Sequence, residues 1–332
     1  MNCLGTPAAT SLGWLPNNGG LVRIDMYWYR HPSGRGNFGD ELSPWIVKAL
    51  APRADIKWVD PTLGQKPLTS RVARLLKSQV MPAPGGYDLR YSRWHALRRG
   101  PALLAIGSIM RQARRSNISV WGAGIMTRHA PIGGGEFFAV RGPRTRERLS
   151  ELGFKAPEAM GDPALLAPLF FKKSGTVTSE VTLIPHFQHH ELFRSTASRG
   201  VRVLDLTDSV ENVLQAIAES KVTLSTSLHG VIVSHAFGVP SLWISTSEVE
   251  RQPLTGDGVK FSDYFGSVGI DRVEPVAVGS IAGLDTRALK KMVDTAFGAT
   301  LPAVEQVVER QRDLLLTVPF RKSSDIPLPR LP

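Results

Sequence analysis

The feature that most constrains the fold is a repeated alternation of short apolar runs with segments of helical periodicity. Residues 21–29 are rich in β-branched and aromatic side chains and end at a dense turn signal, so they predict a first strand. From Asp40 onward, apolar residues recur at helical spacing until Pro52, which predicts a first helix. Strands that alternate with helices in this way are typical of a parallel sheet covered on both faces, an α/β fold.

The alternation occurs in two series, and it lapses between residues 160 and 175. The first series continues with predicted strands at residues 56–59, 102–106, 118–121 and 137–140 and a helix at 144–152. The second series has predicted strands at residues 181–184, 201–206, 221–225 and 241–244 and helices at 209–219 and 229–237. The second half of the chain therefore repeats the architecture of the first half.

A chain of 332 residues is too long for one ordinary core and comfortable as two domains. We predict an N-terminal Rossmann-like domain at residues 21–165 and a C-terminal one at residues 176–285, with their parallel sheets around a cleft. Late helices are predicted at residues 286–297 and 301–316, and the segment 286–318 could pack back on the N-terminal domain. Residues 319–332 are predicted to form a proline-rich tail.

The amino-acid composition favours one cellular compartment but does not identify a binding partner. Forty Lys and Arg residues against 29 Asp and Glu residues give a net charge of +11, which suits nucleic acid, an anionic membrane leaflet or a phosphorylated substrate alike. Cys3 is the only cysteine, so neither an intramolecular disulfide nor a cysteine-built zinc site can form. The sequence contains no apolar run long enough to span a bilayer and no secretory leader, and we expect a cytoplasmic protein.

The loop at residues 33–40 is the first candidate ligand loop. Its three glycines let backbone N–H groups approach an anion closely, and Asn37, Gly39 and Asp40 follow a predicted strand. The alternative interpretation is that Asp40 only caps the helix and that Asn37 closes an Asx-turn. Both interpretations fit the sequence.

Two more polar turns follow later strands of the first series. The turn at Gly107 and Ser108 is expected to lie on the same rim of a parallel sheet as the Asn37 loop and to form one wall of a pocket. Neither it nor the glycine turn at residues 121–124 matches a nicotinamide-binding pattern. Arg141 ends another apolar run, where its permanent charge needs either a carboxylate or phosphate ligand or a structural salt bridge.

The most informative stretch of the second half is residues 225–237. Hydroxyl groups, including that of Ser227, crowd the end of a buried strand, and Leu228 and His229 open an apolar helix. A helix N-terminus favours bound anions and keeps imidazole neutral, which suits a general base or a hydrogen-bond donor. His229 is therefore the first candidate for proton transfer, whereas His235 is expected to be a packed histidine.

Two remaining features concern cations and metals. His186, His189 and His190 do not have the spacing of a zinc motif, so a surface or supporting role is expected and no metal is predicted. Lys260 follows a polar glycine-containing loop and could hold a phosphate as a point charge, although an isolated lysine is usually solvated.

Taken together, these segments resemble the polysaccharide pyruvyl transferase family. The resemblance runs from about residue 36 to residue 266 and rests on the order and spacing of Asn37-x-Gly39-Asp40, Gly107-Ser108, Trp121-Gly-Ala-Gly124, Val140-Arg141, Gly161-Asp162-Pro163, Ser227-Leu-His-Gly230 and Lys260-Phe-x-Asp-Tyr264. It implies two Rossmann-like domains arranged as in GT-B glycosyltransferases. The form of the Ser227 motif looks more like the branch that acts on succinoglycan-type and xanthan-type repeats.

The resemblance also implies a reaction. The donor would be phosphoenolpyruvate, the product a cyclic pyruvate ketal on a sugar of a bacterial exopolysaccharide, and no redox cofactor would be needed. By the resemblance, Arg141 would hold the donor's carboxylate or phosphate, His229 would transfer protons and Lys260 would neutralise phosphate, with Asp40 as a further proton-transfer group. Many members carry arginine where this chain has Ser227, so its donor contacts must differ or another arginine must substitute.

The expected partners are phosphoenolpyruvate, a glycan or lipid-linked oligosaccharide and the anionic inner face of the plasma membrane, and no nucleic acid is expected. Two alternatives stay open. One is a GT-B glycosyltransferase that uses a nucleotide sugar. The other is a non-catalytic basic protein that binds nucleic acid, which the polar residues at the predicted strand ends argue against.

Overall fold

The structure is a computed structural model of the chain. It describes residues 22–30, 36–60, 89–194, 201–270, 274–280, 287, 291, 301–320 and 322–331. The predicted helix at residues 286–297 lies outside the described residues except for Arg287 and Lys291.

The first series of strands forms one parallel five-stranded sheet. Its strands are β1 (Arg23–Tyr27), β2 (Asp55–Val59), β3 (Ala102–Leu104), β4 (Arg114–Trp121) and β5 (Gly134–Ala139). They pair in the order β2-β1-β3-β4-β5, and every pairing is parallel. All five strands lie at or next to the predicted positions, because buried β-branched and aromatic runs bounded by turns are a strong strand signal.

The second series forms another parallel sheet with the same topology. Its strands are β6 (Ser179–Ile184), β7 (Arg202–Val203), β8 (Ser220–Ser225), β9 (Ser241–Ser245) and β10 (Val276–Ala277), in the order β10-β9-β8-β6-β7. Numbered from its own first strand, each sheet reads 2-1-3-4-5, which is a doubly wound order. The predicted α/β class with two parallel sheets is thus confirmed. We call the part of the chain around β1–β5 the first lobe and the part around β6–β10 the second lobe.

Helices connect the strands of both sheets. They are α1 (Phe38–Leu50), α2 (Leu89–Arg98), α3 (Pro143–Glu151), α4 (Ala167–Phe170), α5 (His190–Phe193), α6 (Val210–Ala218), α7 (Leu228–Ala236), α8 (Ser247–Arg251), α9 (Val259–Ser267) and α10 (Val304–Leu316). Short 3-10 turns occur at Met110–Gln112, Pro163–Leu166 and Phe187–His189. Within the described part of the chain, no helix is long and apolar enough to cross a bilayer.

The sequence interpretation missed or overextended several elements. The helix α2 was not predicted because arginines and a histidine interrupt its apolar residues, which hides the helical period. The strand predicted at residues 201–206 shrinks to β7, whose two residues pair only with β6. The strand β10 was not predicted, since two residues give no periodic signal.

The two lobes share an apolar cluster, and α10 packs on the first lobe. One buried cluster includes Ile24 of β1 as well as Ile184 of β6 and Val231 of α7. The indole Nε1 of Trp121 donates a hydrogen bond to the carbonyl oxygen of Leu314 in α10 at 3.0 Å. The two lobes and α10 therefore share one buried apolar cluster.

Candidate active site

The strand order predicts where a ligand site lies. In a 2-1-3-4-5 sheet the winding reverses between the first and third strands, and ligands bind beyond the carboxyl ends of those strands. In the first sheet these ends lead to residues 36–40 and to Ser108. In the second sheet they lead to His186 and to residues 227–229. Three of these four segments carry residues that the sequence interpretation had selected.

The segments from the two lobes touch each other. The backbone N–H of Phe38 donates to the carbonyl oxygen of Leu206 at 2.8 Å, which ties the start of α1 to the second lobe. The next residue, Gly39, lies against the imidazole of His229, and a Cβ atom added at Gly39 would overlap that ring. Gly39 is therefore needed for the close approach of these two segments.

Asp40 is a partly buried carboxyl group beside this contact. Asn37 occupies the N-cap position of α1, but its side chain accepts no capping hydrogen bond and its Nδ2 instead donates to Asp40 Oδ2 at 3.0 Å. Burial raises the pKa of Asp40 to about 7; the Asn37 hydrogen bond and the charge of Lys260 oppose this rise, and Glu41 adds to it. Asp40 can thus gain or lose a proton near neutral pH, as an acid–base catalyst must.

Arg141 is fully buried and held in a structural ion pair, the second of the two interpretations that its sequence context allowed. Its Nε and Nη2 lie 3.0 Å from Asp263 Oδ2, and Nη2 also donates to the carbonyl oxygen of Ile125 at 2.7 Å. Its Nη1 donates to Ser108 Oγ at 2.8 Å. A Cβ atom at Gly124 would overlap the guanidinium, so the glycine turn after β4 provides its space. Arg141 thus acts on the site through its hydrogen bond to Ser108 and through its charge, which lowers the pKa values of His229 and Lys260.

His229 is the central side chain of the site. It is 14% exposed, and its Nε2 lies 3.8 Å from Oδ2 of the fully buried Asp162. Burial, followed by the charges of Arg141 and Lys260, lowers the pKa of His229 to about 3, so its imidazole is neutral at physiological pH. A neutral imidazole 3.8 Å from a carboxyl oxygen is neither an ion pair nor a hydrogen bond. The His229 imidazole is therefore a neutral base that lies beside the Asp162 carboxyl group.

Lys260 supplies the cation of the second lobe. It lies in the first turn of α9, partly buried, with Nζ 5.4 Å from the centroid of the Phe261 ring. Burial and the charge of Arg141 lower the pKa of Lys260 to about 8, against the opposing effect of Asp40. Among the described residues, no carboxylate lies within ion-pairing distance of Nζ. This lysine is therefore available to an anionic ligand.

Ser227 and Leu228 occupy less direct positions. Ser227 is the N-cap of α7, yet its hydroxyl makes no capping hydrogen bond. The side chain of Leu228 is buried in the apolar cluster that the lobes share, so Leu228 can contribute to a ligand site only through its backbone. The side chain of Leu228 therefore lies outside the candidate site. The predicted residues that the structure does bring close together are Asn37, Gly39, Asp40, Ser108, Arg141, His229 and Lys260.

Sequence reasoning gave no site role to His186 and Asp162. The backbone N–H of His186 donates to Thr226 Oγ1 at 2.8 Å. Burial lowers the pKa of His186 to about 3, and the charges of Lys260, His189 and His229 add to the effect, which places His186 near the site. The spacing of His186 from the neighbouring histidines matches no known motif. Asp162 precedes a proline, a pattern typical of an N-cap residue, so its sequence context indicated only a structural role. Within the described residues, no group of three or more His, Cys, Asp or Glu side chains is arranged to hold a metal ion.

Comparison with known proteins relates this site to one family. Residues 85–248 match the model of the polysaccharide pyruvyl transferase family. The match covers just under half of the 332 residues and includes Ser108, Arg141, Asp162, Ser227 and His229. Residues 36–40 and Lys260 lie outside it, and the succinoglycan or xanthan branch stays a prediction.

Two individual similarities accompany the match to the polysaccharide pyruvyl transferase family. An uncharacterized protein of Acanthamoeba polyphaga mimivirus is 32% identical over 120 residues, which are 34% of this chain and 41% of that protein. The chain thus spans less than half the length of this curated relative. The structure of the E. coli heptosyltransferase WaaC with ADP aligns with 84% of this chain and 99% of its own, at 11% identity and a TM-score of 0.28.

Replacing Gly39 by alanine is expected to inactivate the site without unfolding the protein. The added Cβ overlaps the His229 imidazole, so the ring or the start of α1 must move. If the His229 ring serves catalysis, a displacement of about 1 Å is expected to reduce turnover by about 100-fold. Turnover and thermal stability of Gly39→Ala are compared with those of Gly133→Ala, where the added Cβ meets only ordinary contacts of 3.4 Å or more. Equal turnover in the two variants would contradict the close approach.

Proposed function

We propose that this protein transfers the pyruvyl group of phosphoenolpyruvate to two hydroxyls of a glycan as a cyclic ketal and releases phosphate. The observation that carries the proposal is the contact between the lobes at Gly39 and His229. Near this contact lie a neutral base, a carboxyl group that titrates near pH 7 and Lys260, which has no ion-pairing partner among the described residues. The match to the polysaccharide pyruvyl transferase family supports the same reaction class.

The proposed reaction assigns a step to each of these groups. A proton is added to the methylene carbon of phosphoenolpyruvate, and a sugar hydroxyl adds to the adjacent carbon, which becomes electron-deficient. Phosphate then leaves, and a second hydroxyl closes the ketal. Of the two hydroxyl protons, one replaces the proton given to the methyl carbon and the other leaves with phosphate, so no oxidant or reductant is consumed. Asp40 donates the first proton and His229 accepts the hydroxyl proton.

The anionic donor is held by groups of both lobes. Lys260 faces the phosphate as a point charge, and the N-termini of α1 and α7 add the positive ends of their helix dipoles. Arg141 is already paired with Asp263, so its part is to orient Ser108 toward the donor and to add positive potential. In this arrangement Lys260 takes the place of the arginine that many family members carry at the Ser227 position.

The acceptor is a glycan, and we propose that it is carried on a lipid at the cytoplasmic face of an anionic membrane. The helix α2 presents Trp94, which is 49% exposed, beside the exposed Arg98 and Arg99. The Arg98 guanidinium carbon lies 5.4 Å from the centroid of the Trp94 ring. Indole rings and arginines with this exposure suit the headgroup region of an anionic leaflet.

Cosedimentation with lipid vesicles tests this docking surface. The protein is expected to bind anionic phospholipid vesicles and not neutral ones, and Arg98→Ala should weaken binding by about 1 kcal/mol. The matched control is Arg144→Ala, an exposed arginine on α3 whose loss should matter less. Equal binding to both vesicle types, or equal weakening by both substitutions, would contradict the proposed surface.

The function itself is tested by incubating the purified protein with phosphoenolpyruvate and a panel of lipid-linked or model glycosides. We expect phosphate release that requires a glycoside, together with a pyruvate ketal in the product. Glycosyl transfer from a nucleotide sugar would support the glycosyltransferase alternative. Steeply salt-dependent binding to random oligonucleotides, with no response to small molecules, would support the nucleic-acid alternative.

A further inference from the structure

We propose that the Asp162 carboxyl and the His229 imidazole act as one proton-exchanging pair. In this pair Asp162 is a positioning residue that orients His229 and stabilises the imidazolium formed when His229 accepts a proton. The inference deepens the proposed pyruvyl transfer and rests on it for the catalytic role. The pairing itself can be measured without turnover.

The geometry of the two side chains supports the pairing. Asp162 Oδ2 and His229 Nε2 face each other at 3.8 Å. Both atoms are buried, and neither has a hydrogen-bond partner among the described residues. Buried polar atoms without hydrogen-bond partners are rare and need an explanation. Here the two unpartnered atoms face each other, and a proton exchanged between them explains why both are retained. Catalytic hydrogen bonds are often long before substrate binds, so a contact of 3.8 Å is short enough to close.

Asp162 is held firmly by its other oxygen. Its Oδ1 accepts a hydrogen bond from the backbone N–H of Ala164 at 3.0 Å, which caps the 3-10 turn Pro163–Leu166. A Cβ atom at Gly122 would overlap Pro163, so the glycine turn after β4 packs closely against this 3-10 turn. Because the Asp162 side chain is completely buried, it cannot touch a substrate and must act through His229.

The charges around Asp162 set its protonation. Burial raises its pKa to about 7; the Ala164 hydrogen bond and Arg141 oppose this rise, and Asp263 adds to it. Tyr264 also faces the group, and its pKa is raised mainly by burial and further by the charge of Asp162. The carboxyl group is therefore protonated below about pH 7, where it cannot stabilise an imidazolium. We therefore expect kcat to decline as the pH falls through 7.

The decisive variant is Asp162→Asn, since asparagine keeps the acceptor for Ala164 and caps as well as aspartate does. We expect kcat to fall by about 10-fold to 100-fold, as is common for residues that orient a reactive group, with an unchanged KM for phosphoenolpyruvate. The decline of kcat below pH 7 should also shift or disappear. Asp205→Asn is the matched control, because Asp205 likewise accepts the backbone N–H two residues further on, that of Thr207.

Nitrogen-15 NMR of histidine-labelled protein tests the pair independently of turnover. In the wild-type chain, the His229 Nε2 resonance should move with a midpoint near pH 7 as Asp162 ionises. That midpoint should vanish in Asp162→Asn and persist in Asp40→Asn, which excludes the other carboxyl that titrates in this range. The His229→Ala spectrum assigns the resonance.

The outcomes separate the two claims. A wild-type protein that does not turn over phosphoenolpyruvate fails the proposed function, and the NMR midpoint then decides whether the pair exists. An unchanged midpoint in Asp162→Asn overturns the pair. So does an unchanged kcat and pH profile in a protein that is active on phosphoenolpyruvate.

Discussion

Replacing His229 by alanine is expected to abolish ketal formation while leaving the fold intact. Positioned acid–base groups contribute about 10²-fold to 10⁴-fold to turnover, so kcat should fall by at least 10²-fold. The side chain makes no hydrogen bond to other described residues through its buried Nε2, so few stabilising contacts are lost. Phosphate release from phosphoenolpyruvate in the presence of acceptor measures the effect.

The matched control for His229→Ala is His129→Ala, which removes an exposed histidine of the first lobe. This variant should retain wild-type turnover and the wild-type melting temperature. Full activity of His229→Ala would remove His229 from the mechanism. A collapse of its thermal stability would instead assign the residue a structural role.

Replacing Asp263 by alanine is expected to cause the largest loss of stability. Asp263 accepts hydrogen bonds from Arg141 Nε, from the backbone N–H of Thr145 at 2.9 Å and from Thr145 Oγ1 at 2.7 Å. Both side chains of the Arg141–Asp263 pair are 0% exposed. Since arginine cannot release its proton, the substitution leaves a buried cation without its partner, which costs about 3–5 kcal/mol of unfolding free energy.

Denaturant unfolding measures this loss, with an exposed ion pair of the same N–O distance as the control. Arg144 and Glu147 also lie 3.0 Å apart, but their side chains are 43% and 55% exposed. The Glu147→Ala substitution should therefore cost only about 0–1 kcal/mol. Equal losses in Asp263→Ala and Glu147→Ala would contradict the proposed importance of the buried pair.

The sequence alone predicts which loops form the candidate site. Turn residues after apolar strands locate Asn37, Ser108 and His229, and the doubly wound order places the loops of each lobe along one rim of its sheet. The requirement for glycine at position 39 could not be read from the loop alone. It depends on the imidazole of His229, which approaches from the other lobe.

The partners of buried charges are what the sequence could not predict. Arg141 had two interpretations at the end of its strand, and only the three-dimensional packing of α9 shows that Asp263 neutralises it. Asp162 had the local pattern of a cap, and its second oxygen meets His229 through contacts between distant parts of the chain. Short-range periodicity carries no information about such pairs.

The most direct test of the central claim is a thermal-shift titration with phosphoenolpyruvate and, separately, with nucleoside diphosphates. A ligand that binds only the native state at 100 times its dissociation constant stabilises that state by about 2.7 kcal/mol. We expect phosphoenolpyruvate to raise the melting temperature of the wild-type protein, and nucleoside diphosphates to leave it unchanged. A shift with a nucleoside diphosphate and none with phosphoenolpyruvate would contradict the proposal that both lobes together bind this donor.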